Sequence, residues 1–181
     1  GGKIMLQEII FAGFGGQGVL SMGQILAYAA MLENREVSWM PSYGPEMRGG
    51  TANCITIISD EVISSPLISK FDTAIVLNQP SLDKFEKAVT PNGILIYDTN
   101  NIIKPPTRND IQIYPVPASQ EALNLKNSRV MNVVILGALL KLRNSVKVES
   151  VMAALKKVLP ERYHHLLPLN EKALMRGMEL V

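Results

Sequence analysis

The sequence predicts an α/β fold built on a mainly parallel sheet, and three observations carry that expectation. Residues 8–12 are a short apolar run that ends in glycine, the pattern of a strand buried on both faces. The run Gly13-Phe14-Gly15-Gly16-Gln17-Gly18 follows directly, and residues 19–33 then take up helical spacing. Farther on, apolar strands at 73–77 and 93–97 flank a helical segment at 81–89, a rhythm whose short connections imply right-handed crossovers and parallel pairing. Together these describe a Rossmann-like, doubly wound sheet flanked by helices, with a helical C-terminal third.

The elements follow in order. In the first helix Ser21, Gln24 and Tyr28 fall on one narrow face while Val19, Met22, Ile25, Leu26, Ala29 and Ala30 cover the rest, so that helix is largely buried. Residues 37–40 read as a second strand, and 51–59, rich in Ile and Thr, as a third in which Asn53 and Cys54 point to opposite faces. Thr90-Pro91-Asn92-Gly93 stops the 81–89 helix. Lys104-Pro105-Pro106-Thr107 is a turn, and 111–116 is a strand whose Pro115 points to an end or edge position. Residues 129–142 are apolar almost all round and form a central buried helix, whereas 149–159 are amphipathic. In the last helix Asn170, Ala173 and Gly177 share a face, which lets a neighbour approach closely. A chain of 181 residues supports one substantial core, and residues 1–181 are read as a single domain.

Composition excludes several classes. The net charge of +2 and the lack of a basic run interleaved with aromatics give no support to nucleic acid or an acidic membrane as partner. Cys54 is the only cysteine, so this chain alone builds no disulfide, CxxC pair or cysteine-ligated cluster. His164 and His165 are adjacent and point apart on any regular element, and no further His or Cys completes a metal site. The longest apolar stretch, 133–140, is too short to span a bilayer. A cytoplasmic location is the expectation.

Gly13, Gly15 and Gly18 satisfy the GxGxxG spacing after a strand and before a helix. Glycines there permit a tight turn and close approach of a ligand to the backbone, and the free N–H groups of the following helix receive phosphate or carboxylate. A dinucleotide enzyme also needs an acidic residue at the end of the second strand. That strand ends in Trp39-Met40-Pro41-Ser42, while Glu33 and Glu36 precede it. The segment 41–50 holds two prolines and three glycines, which fix Tyr43, Glu46 and Arg48 as a contact surface for an anionic ligand or a partner chain. An ordinary rigid surface loop with a Glu46–Arg48 pair is the plainer reading.

With both segments in hand, Gly13 to Gly18 followed by Pro41-Ser42-Tyr43-Gly44-Pro45-Glu46-Met47-Arg48-Gly49-Gly50 resembles the gamma subunit of 2-oxoacid:ferredoxin oxidoreductases. Ser65-Pro66, Leu77-Asn78-Gln79, the 132–137 segment and Asn170 with Ala173 and Gly177 extend the resemblance along the chain. It implies a multi-subunit enzyme that oxidatively decarboxylates a 2-oxoacid, with 2-oxoglutarate favoured, to an acyl-coenzyme A while reducing ferredoxin. Thiamine diphosphate, in alpha and beta chains, and iron-sulfur clusters, in other chains or domains, would lie outside this chain, and a delta-type ferredoxin-like subunit is among the implied partners. The resemblance gives this chain no catalytic residue and no metal. It implies cofactor contacts at Gly13, Gly15, Gly16, Gln17, Gly18 and Arg48, on the coenzyme A side, and a partner interface at Tyr43, Glu46, Met47, Gly49 and Gly50. A stand-alone nucleotide-binding oxidoreductase and a ligand-free Rossmann-like scaffold are the alternatives.

Other residues have structural readings. Cys54 is expected as a buried apolar thiol, Trp39 and Met40 as core or interface, and Asn132, early in an apolar helix, as a residue that ties down a loop.

Overall fold

The computed structural model describes residues 4–42 and 51–181. Six strands form one sheet: β1 (Leu6–Phe14), β2 (Glu36–Pro41), β3 (Thr51–Ser59), β4 (Phe71–Val76), β5 (Val89–Asp98) and β6 (Gln112–Val116). Their order across the sheet is β2-β3-β1-β4-β5-β6. The helices among the described residues are α1 (Val19–Leu32), α2 (Gln79–Phe85), α3 (Ala118–Asn124), α4 (Met131–Arg143), α5 (Val148–Val158) and α6 (Leu167–Glu179). None is long and apolar enough to cross a membrane.

The expectation of an α/β fold on a mainly parallel sheet holds, with one antiparallel strand. β1, β4, β5 and β6 are parallel, but β3 runs antiparallel to both β1 and β2, so the sheet is mixed. The reason is connection length. Only residues 42–50 join β2 to β3, fewer than the dozen or so that a parallel crossover needs. The chain therefore returns antiparallel and β3 inserts between β1 and β2.

Helices cover the two faces unequally. On one face α1 and α4 bury Val19, Met22, Leu26, Ile135 and Leu139 against Ile9, Phe11, Ile75 and Ile96 of the sheet. α1 lies close on β3 because Gly23 has no side chain. A methyl there would stand 2.5 Å from Cys54 Sγ and 2.9 Å from Thr56 Oγ1, and Thr56 uses the space to donate to the Gly23 carbonyl at 3.0 Å. On the other face α2 packs Leu82 and Phe85 over Phe71, Ala74, Val76 and Leu95.

The expected elements recur with shifted ends. α4 buries nine of its residues and stops at Asn144 in the left-handed region, φ 49°. β6 is an edge strand and carries Pro115 opposite Tyr97, the edge position expected for a proline in a sheet. Leu167 and Leu169 pack against the core.

Candidate functional site

β1 and β4 are parallel neighbours, yet α1 leaves β1 toward one face and α2 leaves β4 toward the other. Their carboxyl ends are therefore a topological switch point, where open α/β sheets form a crevice. The glycine turn lies there. β1 runs on to Phe14, Gly15–Gln17 make one turn of 3-10 helix, and Gly18 enters α1 at φ 74°.

Gln17 organises this turn. Its Oε1 accepts the Phe14 N–H at 2.6 Å and its Nε2 donates to the Leu77 carbonyl at 3.2 Å, so one side chain bridges the ends of β1 and β4. Gly13 makes room for it, since a Cβ there would lie 2.6 Å from Gln17 Oε1 and 3.0 Å from Leu77 Cβ. Gly18 is needed for its positive φ and for Asn132, whose Nδ2 would be 2.6 Å from an added Cβ. Asn132 of α4 thus packs directly against the turn. Gly16 differs: a Cβ would meet nothing within 4 Å and its φ is not positive. Nothing among the described residues requires glycine at that position.

Beside the turn opens a cleft of about 680 Å³, walled by Gly16 and Gly18 on one side and by Asn101, Ser119 and Arg129 on the other. Phe14 and Leu123 line it as half-exposed apolar side chains. The far wall is built on Asp98, fully buried at the end of β5. Its carboxylate accepts from Ser119 Oγ at 2.7 Å, Asn101 Nδ2 at 2.7 Å and the Asn100 N–H at 3.1 Å. Arg129 stands in the 3-10 turn Ser128–Val130, its N–H held by Asn127 Oδ1 at 3.0 Å, and its guanidinium makes no ion pair among the described residues. Nearby, Asn78 caps α2 through Oδ1 to the Ser81 N–H at 3.0 Å while its buried Nδ2 has no protein partner.

The structure therefore brings Gly13, Gly15, Gly16, Gln17 and Gly18 to the carboxyl edge, as the sequence reading placed them. Arg48, Tyr43, Glu46, Met47, Gly49 and Gly50 lie outside the described residues. The residues that flank them are fixed at the same edge, because Thr51 pairs opposite Phe14 and the Ser42 N–H donates to the Asn53 carbonyl at 2.9 Å. Sequence reasoning did not single out Asp98, Asn101, Ser119 or Arg129. The available signal was the polar run 98–101 directly after a buried strand, since ligand residues in such sheets cluster at strand carboxyl ends.

Two other readings acquire a physical cause. Beside β1, where a dinucleotide enzyme carries the strand that ends in its ribose-binding acid, the antiparallel β3 presents Thr51 and Ala52 instead. Burial pushes the Cys54 thiol up to about 12, so it is the inert core thiol expected. His164 is turned to the Leu159 carbonyl, with Nε2 2.9 Å away.

Comparison with known proteins assigns the fold. The family model described as pyruvate ferredoxin/flavodoxin oxidoreductase matches residues 8–180. The chain belongs to this family. Within it, the chain is 36% identical over 160 residues to the 2-oxoglutarate synthase subunit KorC of Methanocaldococcus jannaschii, covering 87% of this chain and 86% of that one. It is 44% identical over 135 residues to the ketoisovalerate oxidoreductase subunit VorA of Methanothermobacter thermautotrophicus, covering 75% of this chain. That match spans only 28% of the VorA subunit's length. Among solved structures it resembles the gamma subunit of a keto/oxoacid ferredoxin oxidoreductase from Geobacter sulfurreducens, with TM-score 0.82, 30% identity and 96% of each chain covered. It also resembles the 2-oxoglutarate:ferredoxin oxidoreductase of Magnetococcus marinus, solved with 2-oxoglutarate, coenzyme A and succinyl-CoA bound, with TM-score 0.88 and 26% identity over 99% of this chain and 31% of that one. The resemblance to the gamma subunit of 2-oxoacid:ferredoxin oxidoreductases, read from the two glycine-bearing segments, is thereby borne out.

Proposed function

We propose that this chain is the non-catalytic gamma component of a multi-subunit 2-oxoacid:ferredoxin oxidoreductase, and that its glycine turn faces the coenzyme A side of the assembled enzyme. The observation that carries the second part is Gly16. Neither backbone conformation nor crowding within the described residues requires a glycine there, which suits a position kept bare for close approach by a group from outside. The adjoining cleft offers chemistry that suits a phosphate-bearing ligand: the backbone of Gly16 to Gly18, just ahead of α1, and the unpaired guanidinium of Arg129. Coenzyme A fits this donor set, with Arg48 as a second cation.

Thiamine diphosphate and the iron-sulfur clusters belong to alpha, beta and delta-type ferredoxin-like partners in this reading. A lone, fully buried cysteine is no ligand set for a cluster. The groups supplied by those chains carry out decarboxylation and electron transfer to ferredoxin, and this chain orients and encloses. Among substrates we propose 2-oxoglutarate, because the KorC match runs nearly end to end on both chains whereas the VorA match covers a fraction of a longer one.

The test is co-expression with the alpha and beta chains, followed by assay of the purified complex with 2-oxoglutarate, ketoisovalerate and pyruvate. The expected result is a stable complex that reduces ferredoxin fastest with 2-oxoglutarate, and no 2-oxoacid oxidation by the isolated chain. Activity of the chain alone would overturn the subunit reading, and faster turnover of ketoisovalerate would overturn the substrate. In the assembled enzyme, Arg48→Ala is expected to raise the KM for coenzyme A or weaken association and to leave decarboxylation itself nearly unchanged.

A further inference from the structure

A second cavity lies among the helices, where α1, α4, α5 and α6 converge. It holds about 250 Å³. Its apolar wall is made by the half-buried Val158, Leu159, Tyr163 and Leu166, over a buried floor of Val133 and Leu155. That volume suits a small molecule and is too small for a nucleotide.

The polar groups of the wall are few and specific. Arg129 is exposed, makes no ion pair among the described residues, and walls both this cavity and the glycine-turn cleft. A second guanidinium, that of Arg162, lies 4.9 Å from the centre of the Tyr163 ring. No Asp or Glu lines the cavity, and Glu161 and Glu171, which neighbour wall residues in sequence, are exposed and lie outside it. Asn170, only 7% exposed, donates through Nδ2 to the Leu166 carbonyl at 2.8 Å, while its Oδ1 accepts from no described residue. A buried acceptor beside a cavity calls for a donor brought by the occupant.

These groups select the ligand. An unpaired guanidinium with no carboxylate on the wall selects an anion, and the apolar wall selects a hydrocarbon body. The free Asn170 Oδ1 selects a neutral donor, because an ammonium would find no acid to meet. We propose that this cavity binds a small aliphatic hydroxycarboxylate, its carboxylate on Arg129, its chain against Leu155 and Leu159 and its hydroxyl donating to Asn170 Oδ1. Since Arg129 is shared, the bound acid withdraws the guanidinium from the glycine-turn cleft and opposes the anion that binds there.

Titration calorimetry of the full chain with 2-hydroxyisocaproate is expected to show saturable binding. Its primary amide, which lacks the charge, and isocaproate, which lacks the hydroxyl, should each bind at least about fivefold more weakly. Arg129→Ala should weaken binding at least about tenfold, and Val158→Phe, which fills the cavity from its half-buried wall, should abolish it. In the unmodified chain the methyl resonances of Val158 and Leu159 should shift on titration, which locates the acid without any substitution. Absence of saturable binding would overturn the proposal. So would unshifted methyl resonances, or binding that survives in Val158→Phe, since the acid would then sit in the glycine-turn cleft or on another surface.

The opposition to the cleft rests on its coenzyme A reading and is measured in the co-expressed complex at saturating 2-oxoacid. There 2-hydroxyisocaproate should raise the KM for coenzyme A and leave kcat unchanged, and Val158→Phe should remove the effect. Arg129→Ala without the hydroxy acid separates the two failures. An unchanged KM in that variant would overturn the reading of the cleft, whereas a raised KM there with no effect of the hydroxy acid on the parent would overturn the withdrawal of Arg129.

Discussion

Gly137 of α4 and Gly177 of α6 meet where the two helices cross, so close that a methyl group on Gly137 would stand 3.1 Å from the Gly177 Cα and overlap the Leu174 carbonyl. A methyl on Gly177 would in turn overlap the Val134 carbonyl and lie 3.0 Å from the Ala138 nitrogen. The obstacles are backbone atoms on rigid helices, so no rotamer change relieves them. Gly177→Ala is expected to destabilise the chain by about 3 kcal/mol or more, read from the shift of the urea midpoint at unchanged slope.

Gly16→Ala is the matched contrast. With open space around the added methyl, the stability of the isolated chain should stay within about 0.5 kcal/mol of the parent. In the assembled enzyme the same substitution should raise the KM for coenzyme A. A change in stability without a change in KM would return Gly16 to a purely structural role.

Gln17→Ala removes the acceptor of the Phe14 N–H and the donor to the Leu77 carbonyl. The expected cost is about 1–2 kcal/mol, with faster amide hydrogen exchange at Phe14 and Leu77. Exchange rates equal to those of the parent would show that the bridge does not tie β1 to β4 in solution.

At the opposite edge of the sheet, burial raises the Glu8 carboxyl above its ordinary range and the nearby Asp72 charge adds to it. Asp72 is likewise raised by burial, against the opposing effect of the Glu8 N–H, the Thr73 hydroxyl and Arg143. An acid raised in the folded state favours folding at low pH. That contribution is complete below the ordinary carboxylate range and is lost as pH rises through the raised value. Glu8→Gln should therefore raise the urea midpoint near neutral pH, with the gain vanishing at about pH 4 and below. A gain that persists undiminished at acid pH would contradict this origin.

Cys54 is fully buried and its thiol is pushed up to about 12. Alkylation by a maleimide should proceed only as fast as the chain unfolds, so its rate should follow the stability changes in Gly177→Ala. Rapid modification of the native parent would refute the buried assignment.

Much of the fold and part of the site were legible without coordinates. The strand, glycine turn and helix at 8–33, the all-round apolar α4 and the edge strand at Pro115 each rest on local periodicity or on the conformational limits of one residue type. So does the exclusion of cluster chemistry by a single cysteine. Other features escaped because they join distant residues. That β3 is antiparallel was within reach, since 42–50 is too short for a crossover, but its insertion next to β1 depends on pairing across the sheet. Asp98 reads as one more loop acid until Ser119, 21 positions later, is seen to donate to it.

The sequence by itself determined which segments are strands and helices, that a glycine turn starts α1, and which family the chain resembles, because those properties are written in neighbouring residues. Only the tertiary structure decided that Gln17 bridges β1 to Leu77, that Asn132 presses on Gly18, and that Gly137 faces Gly177. Each of these depends on which distant surfaces come within a few ångströms of one another. That is settled by packing the whole core at once, and no local period encodes it.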